Sequence, residues 1–311
     1  MAKKKISHIL SSQQFERLWL EKTLFPEIAK MKKAVLAGKV LTTLKGKQVC
    51  LLFYEPSTRT RTSFEQAVIK LGGVPVTTEN AKEFSSAVKG ETMQDTTRII
   101  NSYHFHAIVI RSHYEGAAAE AASVSQIPIL NAGDGAGQHP TQALLDLYTI
   151  FNHFKKVDGV KVAMVGDLKY GRTVRSLAYL LSKFKKIHLE LVAPKSLQMK
   201  GDILDYLKEH GVSFNQSADL AKVADKVDVI YMTRAQKERM SGEKFDGEGV
   251  RMTREILDTV SKKSIVLHPL PRSNDFNELP EELTDDPRVK IFEQAENGLF
   301  TRMALLKMVM K

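Results

Sequence analysis

Seven short apolar runs, at residues 48–54, 106–111, 127–130, 160–165, 187–192, 227–232 and 264–267, alternate with stretches of helical spacing. Strands covered on both faces read as continuous apolar runs, and their alternation with helices is the pattern of a parallel sheet. The chain is therefore expected to be α/β, each strand joined to the next by a helical crossover. Leu144, Leu147, Tyr148 and Phe151 form one intervening stripe. Val174, Leu177, Ala178 and Leu181 form a second, and Ile203, Leu204 and Leu207 a third. At 311 residues the chain has room for two domains of roughly 100–200 residues each. Gly133, Gly135 and Gly137 precede His139-Pro140, and a fresh strand–helix series opens at Val160. The expected division is 1–140, joined by a C-terminal helix at 297–311, and 141–296. Both domains are expected to be doubly wound, each with a parallel sheet flanked by helices and with the active site in the cleft between them.

Polar and cationic residues recur where the apolar runs end. Run 48–54 leads into Ser57-Thr58-Arg59-Thr60, and run 106–111 ends in Arg111. Run 127–130 precedes the loop carrying His139, and run 160–165 leads into Gly166-Asp167-Leu168-Lys169-Tyr170-Gly171-Arg172. Run 227–232 is followed by Thr233-Arg234-Ala235-Gln236, and run 264–267 by His268-Pro269-Leu270-Pro271-Arg272. Open α/β sheets bind ligands at the carboxyl ends of their strands. A site so rich in arginine suits a ligand with several negative charges.

The stretch from Phe53 to Glu65 is the most specific of these. Phe64, Ala67, Val68 and Leu71 follow with helical spacing, which puts Ser57, Thr58, Arg59 and Thr60 at a helix N-terminus. Unpaired N–H groups, the helix dipole, hydroxyls and a guanidinium together make a site for a phosphate-like oxyanion. His139-Pro140-Thr141-Gln142 opens another helix, with Pro in a favoured first-turn position. A histidine there resists protonation, because the dipole disfavours a second positive charge. It can still donate one hydrogen bond to a carbonyl oxygen.

Other segments carry less. Gly166 to Thr173 has the outline of a P-loop but Arg172 replaces the lysine, and Arg172 suits a carboxylate better than a nucleotide. Gly133-Asp134-Gly135-Ala136-Gly137 lacks dinucleotide-loop spacing and is expected to be a flexible active-site loop. His104, His106 and His113 lack the partners of a metal set, so neither a metal nor another cofactor is expected. Ser85 to Glu91 reads as a surface loop, and nothing in the residues alone singles out Lys89.

Composition narrows the partners. The net charge is +10, but Lys pairs such as Lys32-Lys33 and Lys262-Lys263 are scattered, without a basic tract interleaved with aromatics. Small anionic substrates account for that sign without nucleic acid. No apolar run approaches the ~20 residues of a membrane span, and no secretory h-region follows the basic start. Cys50 is the single cysteine and lies in an apolar run, so a buried thiol in a reducing, cytoplasmic setting is expected.

Taken together, these segments resemble the transcarbamoylase family, from about residue 8 to the end of the chain. The carrying blocks are Phe53–Glu65, Lys89–Asp95, Asn131–Tyr148, Ala163–Ser176, Tyr231–Arg239 and His268–Arg272. Ser-Thr-Arg-Thr-Arg is shared by the aspartate and ornithine branches. Thr141 and Pro269 stand where the ornithine branch carries cysteine, and so point to the aspartate branch. An amino-acid pocket holding Arg172, Arg234 and Gln236 also suits a dicarboxylate and would repel the side-chain ammonium of ornithine.

The resemblance implies carbamoyl transfer from carbamoyl phosphate to L-aspartate, the committed step of pyrimidine synthesis, with no cofactor. It implies that Ser57, Thr58, Arg59, Thr60 and Arg111 bind the phosphate, and that Thr60, Arg111 and His139 bind the carbonyl oxygen. Gln142 and the Leu270 carbonyl would hold the carbamoyl amide, with Pro271 shaping the turn. Arg172, Arg234 and Gln236 would take the aspartate carboxylates. Ser85 and Lys89 would reach into the site of an adjacent subunit, making a homotrimer the active unit. Glu55 would bridge the domains on closure, with Arg172 and Arg239 as partners. Position 88 is Val, where the bacterial holoenzymes carry a second Lys, and Ser241–Thr253 diverges from the best-known members. A regulatory chain is a possible partner on the same resemblance.

Overall fold

The computed structural model describes residues 7–84, 89–236, 248–273 and 275–310. Ser85, Val88, Arg239 and much of Ser241–Thr253 lie outside them. The chain divides into two compact units, Met1–Leu145 with Glu296–Lys311, and Asp146–Ala295. The dividing points, 145/146 and 295/296, fall inside the helices Pro140–Phe154 and Ile291–Val309, about five residues and one residue from the sequence-derived divisions at 140/141 and 296/297.

The first unit is built on strands β1 (Gln48–Phe53), β2 (Val74–Glu79), β3 (Ala107–Ser112) and β4 (Ile129–Asp134). They form an all-parallel sheet in the order β2-β1-β3-β4. Side chains alternate across a strand, yet neighbours in β1 are all buried from Val49 to Phe53. Both faces are therefore covered. On one, Cys50, Leu52, Ile108 and Ile110 pack with Met93 and Ile100 of the helix Met93–Ser102 and with Ala117, Ala118 and Ala121 of the helix Ala117–Val124. Burial pushes the Cys50 thiol up to about 12.

The C-terminal segment belongs to this unit. Lys307 Nζ lies 2.6 Å from Glu27 Oε1, and Lys32 Nζ lies 2.9 Å from Glu296 Oε2. The Arg302 guanidinium stands 5.2 Å from the centre of the Phe64 ring.

The second unit carries β5 (Lys161–Val165), β6 (His188–Val192), β7 (Ser213–Ser217), β8 (Val229–Met232) and β9 (Ile265–Leu267). These too are all parallel, in the order β7-β6-β5-β8-β9. Ala163, Val165, Ile230, Met232 and Val266 join one core cluster, while Val162, Met164, Val229 and Tyr231 are fully buried on alternate positions. Asp146, fully buried, accepts from Tyr231 Oη at 2.7 Å and from Gln294 Nε2 at 2.6 Å. Burial, followed by the nearby Asp146 charge, pushes the Tyr231 hydroxyl well up.

The two strands without an apolar run are β2 and β7. Both are sheet edges with half-exposed, alternating burial, so their sequences need little apolar content. No described helix is long and apolar enough to cross a membrane.

Burial of Cys50 predicts its chemistry. A thiol reagent at mildly alkaline pH should leave the native protein unmodified and label one group per chain after unfolding. Rapid stoichiometric labelling of the native protein would contradict the placement of Cys50 in the β1 core.

Candidate functional site

A doubly wound sheet has one place where the strand order reverses, and the loops there diverge to leave a crevice. In the first unit this lies between β1 and β3, since β1 pairs with β2 on one side and β3 on the other. In the second unit it lies between β5 and β8. Arg59, Arg172 and Arg234 follow β1, β5 and β8, and Arg111 lies near the end of β3.

In the first unit, β1 passes into the helix Thr58–Lys70 through Ser57, which holds extended backbone at φ −161°. The Ser57 side chain makes no capping bond, and the first intrahelical bond is Arg61 N–H to Ser57 O at 3.1 Å. The backbone N–H groups of Thr58, Arg59 and Thr60 thus precede the helix's own bonding pattern. Thr58 and Arg59 are exposed, whereas Thr60 is buried. The Thr62 and Ser63 hydroxyls turn back to the Thr58 and Arg59 carbonyls at 2.7 and 2.6 Å.

Arg111 is the penultimate residue of β3, opposite Phe53 of β1. Its Nη1 donates to the Ala132 carbonyl at 3.2 Å and its Nη2 lies 3.3 Å from Glu55 Oε2. The guanidinium is thereby held between the β1 loop and β4. Glu55, which the family resemblance casts as a bridging residue, has this contact within its own unit.

His139 is buried, with Nε2 3.5 Å from Thr60 Oγ1 and Nδ1 3.4 Å from Thr141 Oγ1. Its ring is bracketed by two hydroxyls that can each donate or accept. Gln142 lies one residue after Thr141, half-buried, and its N–H donates to the His139 carbonyl at 3.0 Å. Ser57, Arg59, Thr60, Arg111, His139 and Gln142 therefore gather on loops and helix starts that follow β1, β3 and β4. Lys89 is exposed in the same unit.

The glycine-rich turn before His139 differs from the flexible loop expected. Asp134, itself buried, closes it by accepting from Gln138 N–H at 2.7 Å and Gly116 N–H at 3.1 Å. Asn131 Oδ1 accepts from Gly133 N–H at 2.7 Å, and its Nδ2 donates to the Leu10 carbonyl at 3.0 Å. The two acceptor side chains, which turn flexible glycines into a fixed support for His139, were overlooked in the sequence. An Asn before the glycine run and an Asp within it were the available signal.

In the second unit, Gly166 follows β5 with φ +114°, and a Cβ there would sit 2.2 Å from the Thr233 carbonyl oxygen. That close approach lets Asp167 reach across. Asp167 is fully buried; its Oδ1 accepts from Lys169 N–H at 3.2 Å and Tyr170 N–H at 2.9 Å. Its Oδ2 accepts from Gln236 N–H at 3.0 Å. One carboxylate thus ties the loop before Arg172 to the loop of Arg234 and Gln236. Arg172 is the buried first residue of the helix Arg172–Leu181, and Arg234 Nη1 donates to the Ala235 carbonyl at 3.0 Å. Sequence reasoning placed Asp167 in the motif without this role.

The β9 loop is also pinned from below. Leu270 has φ +58° and its bond to Pro271 is cis. His268 Nδ1 accepts from Leu270 N–H at 2.8 Å, and His268 Nε2 lies 3.0 Å from Glu278 Oε1. Burial pushes the Glu278 carboxyl up, but hydrogen bonds from His268 and Ser273 outweigh it and hold it below the ordinary value. No group of three or more His, Cys, Asp or Glu side chains suited to a metal ion occurs among the described residues.

Asp167→Leu would leave three amides without their acceptor. We expect a loss of roughly 3 kcal/mol in urea denaturation, with faster amide exchange at Tyr170 and Gln236. Unchanged protection at both amides would show that Asp167 does not tie the loops.

Known proteins match this arrangement over nearly its whole length. Residues 7–152 match the family "Aspartate/ornithine carbamoyltransferase, carbamoyl-P binding domain", and residues 158–309 match "Aspartate/ornithine carbamoyltransferase, Asp/Orn binding domain". The chain is 48% identical to the chloroplastic aspartate carbamoyltransferase of Arabidopsis thaliana, covering 100% of this chain and 79% of the relative. It is 45% identical to the aspartate carbamoyltransferase catalytic subunit of Methanocaldococcus jannaschii, covering 91% of this chain and 92% of the relative. The Trypanosoma cruzi aspartate transcarbamoylase, solved with carbamoyl phosphate and aspartate, superposes with a TM-score of 0.91 at 40% identity, covering 98% of this chain and 97% of that one.

Proposed function

The chain belongs to the aspartate/ornithine carbamoyltransferase family, and from that premise we propose that it transfers the carbamoyl group of carbamoyl phosphate to L-aspartate. The observation that carries this reading is the placement of anion-binding donors at the strand-order reversal of each sheet. The products are N-carbamoyl-L-aspartate and inorganic phosphate, and the step is the committed one of pyrimidine synthesis.

The aspartate amine attacks the carbonyl carbon, a new C–N bond forms, and the C–O bond to phosphate breaks. The amine proton leaves with the phosphate. In the first unit, the amides and hydroxyls of Ser57, Thr58 and Thr60, with Arg59 and Arg111, bind the phosphate. As the carbonyl oxygen gains charge, Thr60, Arg111 and His139 donate to it. The 3.5 Å separation of Thr60 Oγ1 from His139 Nε2 sets these two groups side by side. One such preorganised donor is worth about 3–4 kcal/mol of barrier, and holding the amine against the carbonyl about 7–11 kcal/mol. Gln142 and the Leu270 carbonyl hold the carbamoyl amide, and Pro271 shapes the turn. Arg172, Arg234 and Gln236 take the two carboxylates of aspartate, an assignment favoured over ornithine by Thr141, Pro269 and the cationic character of this loop set. The reaction proceeds without a cofactor, because phosphate is already a good leaving group.

Lys89 is placed in the reaction by supposing a homotrimer, in which Lys89 and Ser85 of one subunit complete the site of the next. Its exposure among the described residues suits that role. The cytoplasm is the proposed location, from the single buried cysteine.

Two measurements test it. In an acceptor panel at fixed carbamoyl phosphate, the purified protein should carbamoylate L-aspartate and leave L-ornithine unreacted. Turnover of ornithine alone would reverse the branch. Lys89→Ala and Arg59→Ala should each lower kcat by on the order of 100-fold or more. Dissociating and remixing the two variants should restore part of the activity, because some interfaces recover both groups. No recovery in verified mixed oligomers would contradict the shared site.

A further inference from the structure

The loop after β9 is held by side chains that contribute no proposed ligand contact. Leu270 N–H donates to His268 Nδ1, so that nitrogen carries the lone pair and the ring proton sits on Nε2. Nε2–H then points at Glu278 Oε1, 3.0 Å away. The same Glu278 carboxylate accepts from Ser273 N–H, at 2.9 Å to Oε1 and 3.2 Å to Oε2. The His268 N–H donates in turn to Gln294 Oε1 at 2.8 Å. His268 and Glu278 are both nearly inaccessible, 1% and 3% exposed. The loop Leu270–Ser273 is thus clamped at both ends by one buried imidazole–carboxylate pair. Between the clamped ends stands the strained φ of +58° at Leu270, a conformation that costs a branched-chain residue energy and needs outside support.

We propose that His268 and Glu278 are positioning residues that aim the Leu270 carbonyl oxygen at the carbamoyl amide. The inference rests on the function proposed above, which makes that carbonyl a substrate contact. The pair never touches substrate. Its action runs through the backbone: the imidazole fixes the Leu270 amide, the carboxylate fixes the imidazole tautomer and the Ser273 amide, and the carbonyl between them has one direction left. Other members of a buried polar chain continue from Gln294 to Asp146 and Tyr231, which anchors the clamp to the core of the unit. A hydrogen-bonded pair with every partner satisfied rigidifies its surroundings, whereas a half-satisfied one does not.

Three variants of the full chain separate this role from bulk stability. Glu278→Leu removes both clamp bonds, Glu278→Gln keeps an acceptor for His268 Nε2–H and Ser273 N–H, and His268→Asn keeps an acceptor only for Leu270 N–H. For Glu278→Leu we expect kcat/KM for carbamoyl phosphate to fall on the order of 100-fold, with Glu278→Gln restoring most of it and His268→Asn between them. A probe besides activity is the nitrogen NMR spectrum of histidine-labelled protein, assigned by loss of one signal in His268→Asn. Its Nε2 should be protonated and Nδ1 should not, in the parent and in Glu278→Gln. Folded Glu278→Leu with parental kcat/KM, or a His268 protonated at Nδ1, would overturn the inference. Should Glu278→Leu fail to fold, Glu278→Gln, His268→Asn and the tautomer still decide it. A parent that forms no carbamoyl aspartate while His268 keeps the Nε2–H tautomer would instead sink the functional reading and leave the clamp standing.

Discussion

A parallel sheet with both faces buried leaves its polar backbone groups and its chemistry to the strand ends, and that constraint governs everything else in this chain. Strand neighbours such as Leu51 and Leu52 pack in opposite directions, so neither face can carry a ligand site. The polar side chains emerge only where the backbone leaves the sheet. All strands in each unit run the same way, and so the useful loops gather at one edge. At the point of strand-order reversal two loops part. Ser57–Thr60 and Arg111 occupy that point in one sheet, and Asp167–Arg172 with Arg234 and Gln236 occupy it in the other.

The donors differ in how they are held. In the first unit the holding groups are the start of a helix, the Ala132 carbonyl and Glu55 carboxylate on Arg111, and a glycine turn closed by the buried acid Asp134. In the second they are buried acids: Asp167 collects three backbone amides, and Glu278 takes the Ser273 amide and the His268 ring N–H. Charged hydrogen bonds of this kind are short and strong enough to offset the desolvation of a carboxylate. Preorganised donors of fixed direction are what electrostatic catalysis requires, because they need no reorganisation as charge develops.

Much of this was legible in the residues. Seven strands announced themselves as apolar runs because they are buried, including β4 and β9, which are sheet edges yet buried throughout. The other two edge strands did not, because Val74–Glu79 and Ser213–Ser217 expose about half of their residues and carry Thr, Glu, Asn and Gln. The ligand-facing residues were legible as cations and hydroxyls following strands, for example Arg111 after Ile110 or Arg234 after Thr233. The supporting residues were not. Asp134, Asp167, His268 and Glu278 look like ordinary loop polars until the backbone amides they collect are known, and those amides come from segments as distant as Gly116 and Gln236. The division between units was legible to within about five residues, from the Gly133–Pro140 punctuation, although the chain changes unit in mid-helix.

The account turns on the phosphate end of the first unit, so the most direct measurement is a crystal structure of the protein with carbamoyl phosphate bound. It should show the phosphate oxygens within hydrogen-bond distance of the Thr58–Thr60 amides and of the Arg59 and Arg111 guanidinium groups, with the carbonyl oxygen between Thr60 and His139. Carbamoyl phosphate seated away from the start of the Thr58–Lys70 helix, with Arg111 still held on Glu55 and Ala132, would contradict it.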